Sequence, residues 1–124
     1  MMNHNVLTEV LVASKQWVKH FNKGDVDYCV SAYLPEAELI AKPMGTFDNH
    51  ESIDHFWRPF LQSGATSLEY HQIWLKQIDD TKVQLGANWT MNMGKGCISL
   101  EEWVKTDAGI WKLFKDQFEI TDQY

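Results

Sequence analysis

The chain has one arginine, Arg58, in 124 residues, and no run of basic side chains anywhere. That excludes the footprint of a nucleic-acid binder, which needs clustered Lys and Arg to displace counterions from phosphate. The formal net charge of −6 points the same way. Without an arginine cluster there is also nothing to clasp a phosphorylated ligand. No apolar stretch approaches the roughly 20 residues that cross a bilayer, so no membrane partner is expected. The opening residues MMNHNVLTEV lack the basic segment and apolar core of a signal peptide, and a cytoplasmic location is expected. Cysteine is scarce: Cys29 and Cys97 belong to no CxxC pair. They read as two buried thiols in a reducing compartment, with a single disulfide as the other arrangement.

The catalytic motifs with fixed spacing are missing too. The five histidines, His4, His20, His50, His55 and His71, never form HxH or HExxH. His50 and His55 diverge by about 140° on a helix and do not share a face, so no metal is expected. There is no GxSxG, no P-loop and no dinucleotide fingerprint. No cofactor is expected.

Aromatic residues, by contrast, are plentiful: six Trp, six Phe and four Tyr. Rings of that size leave gaps as often as they fill them, and so line cavities as well as cores. With 44% apolar residues, one domain over residues 1–124 with a substantial core is expected.

The first third has helical periodicity. Val6, Val10, Leu11, Ser14, Trp17, Val18 and Phe21 form one stripe, with Asn5 as a cap and Gly24 as a stop. Asp25 caps a second helix carrying Val26, Cys29, Val30, Tyr33 and Leu34, which Pro35 ends. A short apolar segment, Ala37 to Ala41, leads to a turn at Lys42-Pro43-Met44-Gly45. Asp48 and Glu51 are spaced as a capping box. The third helix they open buries Ile53, Phe56, Trp57, Phe60 and Leu61, and Pro59 should kink or shorten it.

From Thr66 the period changes to two, giving four long strands with turns at 79–81, 94–96 and 106–109. A Gly94-Lys95 turn would set Trp89 against Leu100 and Met91 against Ile98. The same pairing puts Trp111 and Leu113 beside Val104 and Glu102. Helices first and strands last is the α+β order. The expected architecture is three helices on the concave side of a strongly curved antiparallel sheet.

That order of elements resembles the SnoaL-like branch of the nuclear transport factor 2-like superfamily. Phe21-Asn22-Lys23-Gly24-Asp25 resembles its link between the first two helices, and Tyr33-Leu34-Pro35-Glu36-Ala37 its entry into the first strand. The stretch from Asp48 to Trp57 resembles the opening of its third helix, and Gly109-Ile110-Trp111-Lys112-Leu113 the start of its last strand. Asn49 stands in place of a common glycine, and Glu36 in place of aspartate. The resemblance implies a cone-like, cystatin-type α+β barrel around a pocket. It implies no single reaction, because the superfamily includes isomerases, dehydratases, cyclases, carriers and adaptors.

Members that move protons beside a carbonyl use a pocket carboxylate, and Asp116 on the last strand matches that role. Strict alternation from Trp111 and Leu113 turns Asp116 outward, however. It enters the pocket only with a bulge near Phe114, which would bring Phe118 in as well; otherwise it is a solvated acid. Glu102, set by the register beside Ala87 and Leu113, is the second candidate, as acid or base or as the partner of Lys76 or Lys115. Beside Glu101, its face is ambiguous. Tyr33 could donate to a ligand carbonyl or simply pack in the core. His71 faces either way. Trp17, Trp57, Trp74 and Trp89 are the expected walls, or else plain core.

The function expected is binding of a small hydrophobic or aromatic ligand, with isomerase, cyclase or dehydratase chemistry. The alternative is a non-catalytic dimerisation or carrier module. Trp103, among Gln84, Asn88, Thr90 and Ser99, is expected on an outer sheet face that pairs two copies of the chain. Sedimentation at micromolar concentration should therefore return twice the chain mass of 14.4 kDa; a monomeric mass would refute this.

Overall fold

A computed structural model describes residues 5–124. Helix α1 (Val6–Asn22) starts where Asn5 accepts a hydrogen bond from the backbone of Leu7. It buries Val10, Ser14, Trp17 and Phe21, one face of a 3.6-residue period. Helix α2 (Val26–Ser31) begins at Asp25, whose carboxylate accepts from the Tyr28 backbone. The indole of Trp17 donates to the Cys29 carbonyl at 3.1 Å and ties the two helices together. Cys29 and Cys97 are both free thiols, and burial pushes that of Cys29 up to about 12.

Strand β1 (Tyr33–Lys42) takes over immediately, so Tyr33 and Leu34 belong to a strand and not to the end of a helix. The hairpin partner β2 (Gly45–Phe47) follows. Helix α3 (His50–Gln62) is capped by Asn49 and Ser52, which bond each other's backbone; Asp48 and Glu51 do not form the box. Pro59 sits inside α3 without ending it, and the Ser63 backbone still donates to the Pro59 carbonyl. Pro59 withholds only its own N–H, and it does so on an exposed part of the helix.

Four long strands complete the chain: β3 (Glu69–Asp79), β4 (Lys82–Met91), β5 (Gly94–Lys105) and β6 (Trp111–Gln123). They form one curved, unclosed sheet in the order β2-β1-β6-β5-β4-β3. All neighbours are antiparallel except β1 and β6, which run parallel. The core lies between the helices and the concave face, built on Phe21, Leu39, Ile53, Leu85 and Leu113.

The β4–β5 register differs from the one the glycines suggest. Met91 pairs with Gly94, Trp89 with Gly96 and Ala87 with Ile98, so the turn is Asn92-Met93. Further along, Leu85 pairs with Glu101 and Gln84 with Glu102, because Ser99 and Leu100 together face Gly86. Between β5 and β6, Trp103 pairs with Leu113 but Glu102 with Lys115, which leaves Phe114 as an extra residue. These bulges reverse the alternation of β5 and β6. Trp103 consequently faces the helices, buried, and not an outer surface.

Gly96 explains itself by contact. A Cβ there would overlap the carbonyl oxygen of Glu119 and lie 2.7 Å from the Trp89 ring. At Gly86 the atoms a Cβ would meet first belong to the ring of Trp74, a side chain that is 46% exposed. Gly96→Ala should lower stability by about 2–4 kcal/mol, and Gly86→Ala by less than about 1 kcal/mol, in urea denaturation. Equal effects would mean that the ladder at Gly96 is not rigid.

Candidate functional site

Beneath α3 the sheet encloses a cavity of about 520 Å³. Trp17, Phe56, Trp57, Trp89 and Phe118 are among its walls, joined by Phe21, Phe60 and Ile98. The rings pack edge to face and stacked, with the Trp57 and Phe118 centroids 5.8 Å apart. Met44, His55 and Pro59 also line the space; all three are exposed and so mark its mouth.

One acid lines this apolar space. Asp116 is only 5% exposed. The Tyr33 hydroxyl donates to its Oδ2 at 2.6 Å and accepts in turn from the Trp57 indole at 3.2 Å. Burial pushes the Asp116 carboxyl up to about 6, against the opposing pull of the Tyr33 hydrogen bond. Burial and the adjacent carboxylate raise the Tyr33 phenol well above its ordinary value.

A second acid stands across the strand. Glu101 is the register partner of Asp116 and is 3% exposed. Its two oxygens each take one donor, the Tyr70 hydroxyl at 2.9 Å and the Trp103 indole at 2.8 Å. Burial first, and then the charge of Asp116, push Glu101 up to about 8. Neither acid has an ion pair among the described residues. Tyr70 lines the cavity, so its hydroxyl joins Glu101 to that space.

No family model and no curated protein matches the chain. Solved structures do match. A ketosteroid isomerase-like protein from Erwinia carotovora atroseptica superposes with a TM-score of 0.81 at 11% identity, over 97% of this chain and 99% of that one. Aln2 from a Streptomyces species gives 0.81 at 14%, over 97% and 94%. A Nostoc punctiforme protein of unknown function with a cystatin-like fold gives 0.79 at 14%, over 96% and 95%. The chain has the nuclear transport factor 2-like fold.

Within this fold, the residues singled out from sequence separate into two groups. Trp17, Trp57, Trp89, Asp116 and Phe118 line the cavity, and the extra residue at Phe114 is what turns the last two inward. Tyr33 lies behind Asp116, outside the lining, with its proton committed to that acid. Three placements need correction. Glu102 points to the opposite side of the sheet, where Gln84 donates to it at 3.2 Å and Lys115 is its strand partner; the inward acid of that doublet is Glu101. Trp74 is 46% exposed and covers Gly86 on the outer face. His71 is exposed and bonds Thr90. Lys76, once a possible partner for Glu102, is exposed on β3.

Sequence reasoning missed Tyr70, Glu101 and His55. Tyr70 sits on a strand whose alternation is masked by a bulge between His71 and Trp74. His4 lies outside the described residues. Among those described, no helix is long and apolar enough to cross a membrane.

Both inward acids hold protons in the fold that the unfolded chain releases near pH 4 to 5. Unfolding therefore releases protons between about pH 5 and about pH 8, and stability falls as pH rises through that window. Thermal unfolding should be highest near about pH 5 and drop toward about pH 9. Glu101→Gln should flatten most of that slope. An unchanged slope in this variant would mean that Glu101 is not the group that titrates.

Proposed function

We propose that the chain binds a small, ring-bearing organic compound in this cavity and moves a proton beside its carbonyl group. The observation that carries the reading is Asp116, a buried acid without a cation in an otherwise apolar, aromatic cavity. An unpaired carboxylate there costs several kcal/mol and contributes nothing to packing, which argues for chemistry. A carboxyl brought to about 6 is ionised near neutrality yet basic enough to accept a proton.

In this mechanism Asp116 takes a proton from the carbon next to the carbonyl. The C–H electron pair moves into the new C=C bond, and the carbonyl π pair moves onto oxygen. Asp116 then returns the proton to the same carbon or to a conjugated one. In a dehydration it gives the proton instead to a hydroxyl on the β-carbon, which leaves as water with the C–O electron pair. The enolate electrons then re-form the C=O bond and place the C=C bond between the α- and β-carbons. Tyr33 touches the acid and not the ligand, so it positions and tunes Asp116. The Tyr70 O–H donates to Glu101 in the structure. With Glu101 protonated, the acid's own O–H donates to the Tyr70 oxygen instead and releases the Tyr70 proton for the developing oxyanion. One fold relative is named as ketosteroid isomerase-like, which supports the same class of reaction.

The rival is a dimerisation or carrier module without chemistry. Its purely structural form predicts a space filled by its own tryptophans, and an open cavity of about 520 Å³ argues against that form but not against a carrier. Dimerisation remains compatible with either reading, through the outer face that Trp74 shares with Gln84 and Asn88.

The test is solvent exchange of the α-protons of cyclic ketones in deuterium oxide, followed by NMR, alongside tryptophan-fluorescence titration of steroid-like, polyketide-like and small aromatic compounds. Wild type should accelerate exchange for compounds that quench at micromolar concentration. Asp116→Asn should lose at least about a hundredfold in rate while retaining binding. Tyr33→Phe removes the hydrogen bond that favours ionised Asp116, so the midpoint of the pH–rate profile should move up from about 6. Binding without exchange would leave a carrier; no binding at all would leave the structural module.

A further inference from the structure

Among the described residues, one buried side-chain nitrogen or oxygen has no hydrogen-bond partner: Nε1 of Trp89. Every other buried indole is accounted for. Trp17 donates to the Cys29 carbonyl, Trp57 to Tyr33, Trp103 to Glu101 and Trp111 to Glu9. A buried donor left unmatched is rare in native proteins and calls for a reason. Trp89 is a wall of the cavity, and only 5% of its surface is exposed.

Its surroundings hold the ring in place. Gly96, the strand partner of Trp89, has no side chain, and the indole lies against that bare backbone. Phe118 meets it edge to face at 6.2 Å. On the other flank its strand partner is Tyr70, whose hydroxyl is the one that reaches Glu101. Trp89, with a free donor, thus stands on the concave face beside Tyr70, whose proton becomes free when a protonated Glu101 donates to the phenol oxygen.

We propose that the Trp89 N–H donates a hydrogen bond to an uncharged oxygen of the bound ligand, so that Tyr70 and Trp89 receive one carbonyl together. This rests on the ligand-binding reading above. An indole N–H only donates, so its partner must be an acceptor. Asp116, the acid in the same cavity, disfavours a carboxylate or phosphate in that place, which leaves a ketone, enone or similar group. The N–H has almost no water-accessible surface, so a ligand oxygen reaches it only as the surrounding rings give way. Bulk solvent therefore does not already fill the role.

The experiment compares 1-tetralone with its hydrocarbon counterpart, tetralin, by calorimetric titration against wild type and Trp89→Phe. Phenylalanine keeps an aromatic wall and removes the donor. The expected result is about a five- to tenfold loss of affinity for 1-tetralone in the variant, with tetralin changed by less than about twofold. The urea midpoint of Trp89→Phe should fall modestly, because the smaller ring leaves part of the buried indole's volume unfilled; the discrimination between the two compounds is therefore the deciding readout. Equal losses for both compounds would assign Trp89 to packing and overturn the inference. So would an unchanged affinity for the ketone. Failure of wild type to bind either compound would overturn it as well. The proton-transfer reading is scored separately: ketone exchange lost in Asp116→Asn supports that reading even if Trp89→Phe binds normally. Discrimination by Trp89 without any exchange keeps the donor and removes the chemistry.

Discussion

The interior of this protein depends on two residues that break the alternation of its strands. A regular strand sends neighbours to opposite faces, so Ile98 and Glu101 could not share a side, nor could Leu113 and Asp116. The extra residues in the β5–β6 ladder, Ser99 and Phe114, remove that conflict. Beyond each bulge the chain resumes its period with parity reversed, and both acids turn toward the helices. A bulge also sharpens local twist and bend, which suits a sheet that must wrap around a cavity. Curvature and inward acid placement therefore share one cause.

Turning two carboxyls inward creates an electrostatic problem that the fold handles with donors and protons instead of cations. Tyr33 supports Asp116, while Tyr70 and Trp103 support Glu101. The environments differ enough to separate the two titrations, one near neutrality and one above it. Such separation is what lets a pair of acids take different parts in one reaction. Glu102, one residue away, turns to the outer face, where it accepts from Gln84 and is the strand partner of Lys115.

Local chemistry was the legible part of the sequence. Asn5 and Asp25 cap their helices as a side-chain oxygen before an apolar period should, and the order of helices and strands gave the fold class. The capping box slipped by one residue because Asp48 and Asn49 are both good caps. The β4–β5 register failed for a more instructive reason. Gly94 and Gly96 look like a turn, yet they are glycines because the backbone of β6 and the Trp89 ring come too close for a Cβ. The true turn, Asn92-Met93, carries a weaker signal. Nothing local announces that β1 runs parallel to β6, since that pairing joins residues about eighty apart. Glu101 and Glu102 could not be told apart without the register, and the register could not be had without the bulges.

Division of labour within the cavity follows from this architecture. Helices α1 and α3 contribute apolar walls, whereas the polar floor draws Tyr70, Trp89 and Asp116 from three strands of one ladder, with Glu101 behind Tyr70 on the strand between. Strand spacing is fixed by backbone hydrogen bonds to within a few tenths of an ångström, about 4.8 Å from one strand to the next. Groups mounted on such a lattice are held in place before a ligand arrives, which is the condition for stabilising charge without reorganisation. The same lattice makes the site sensitive to sequence. Deleting one bulge residue would not shift Asp116 slightly; it would send that acid through the sheet to the other face. This explains how proteins 11% to 14% identical can keep the fold while the chemistry of the floor is free to differ. A shape held by the pattern of apolar residues survives many substitutions, whereas the identity of its inward polar groups turns on single insertions in two strands.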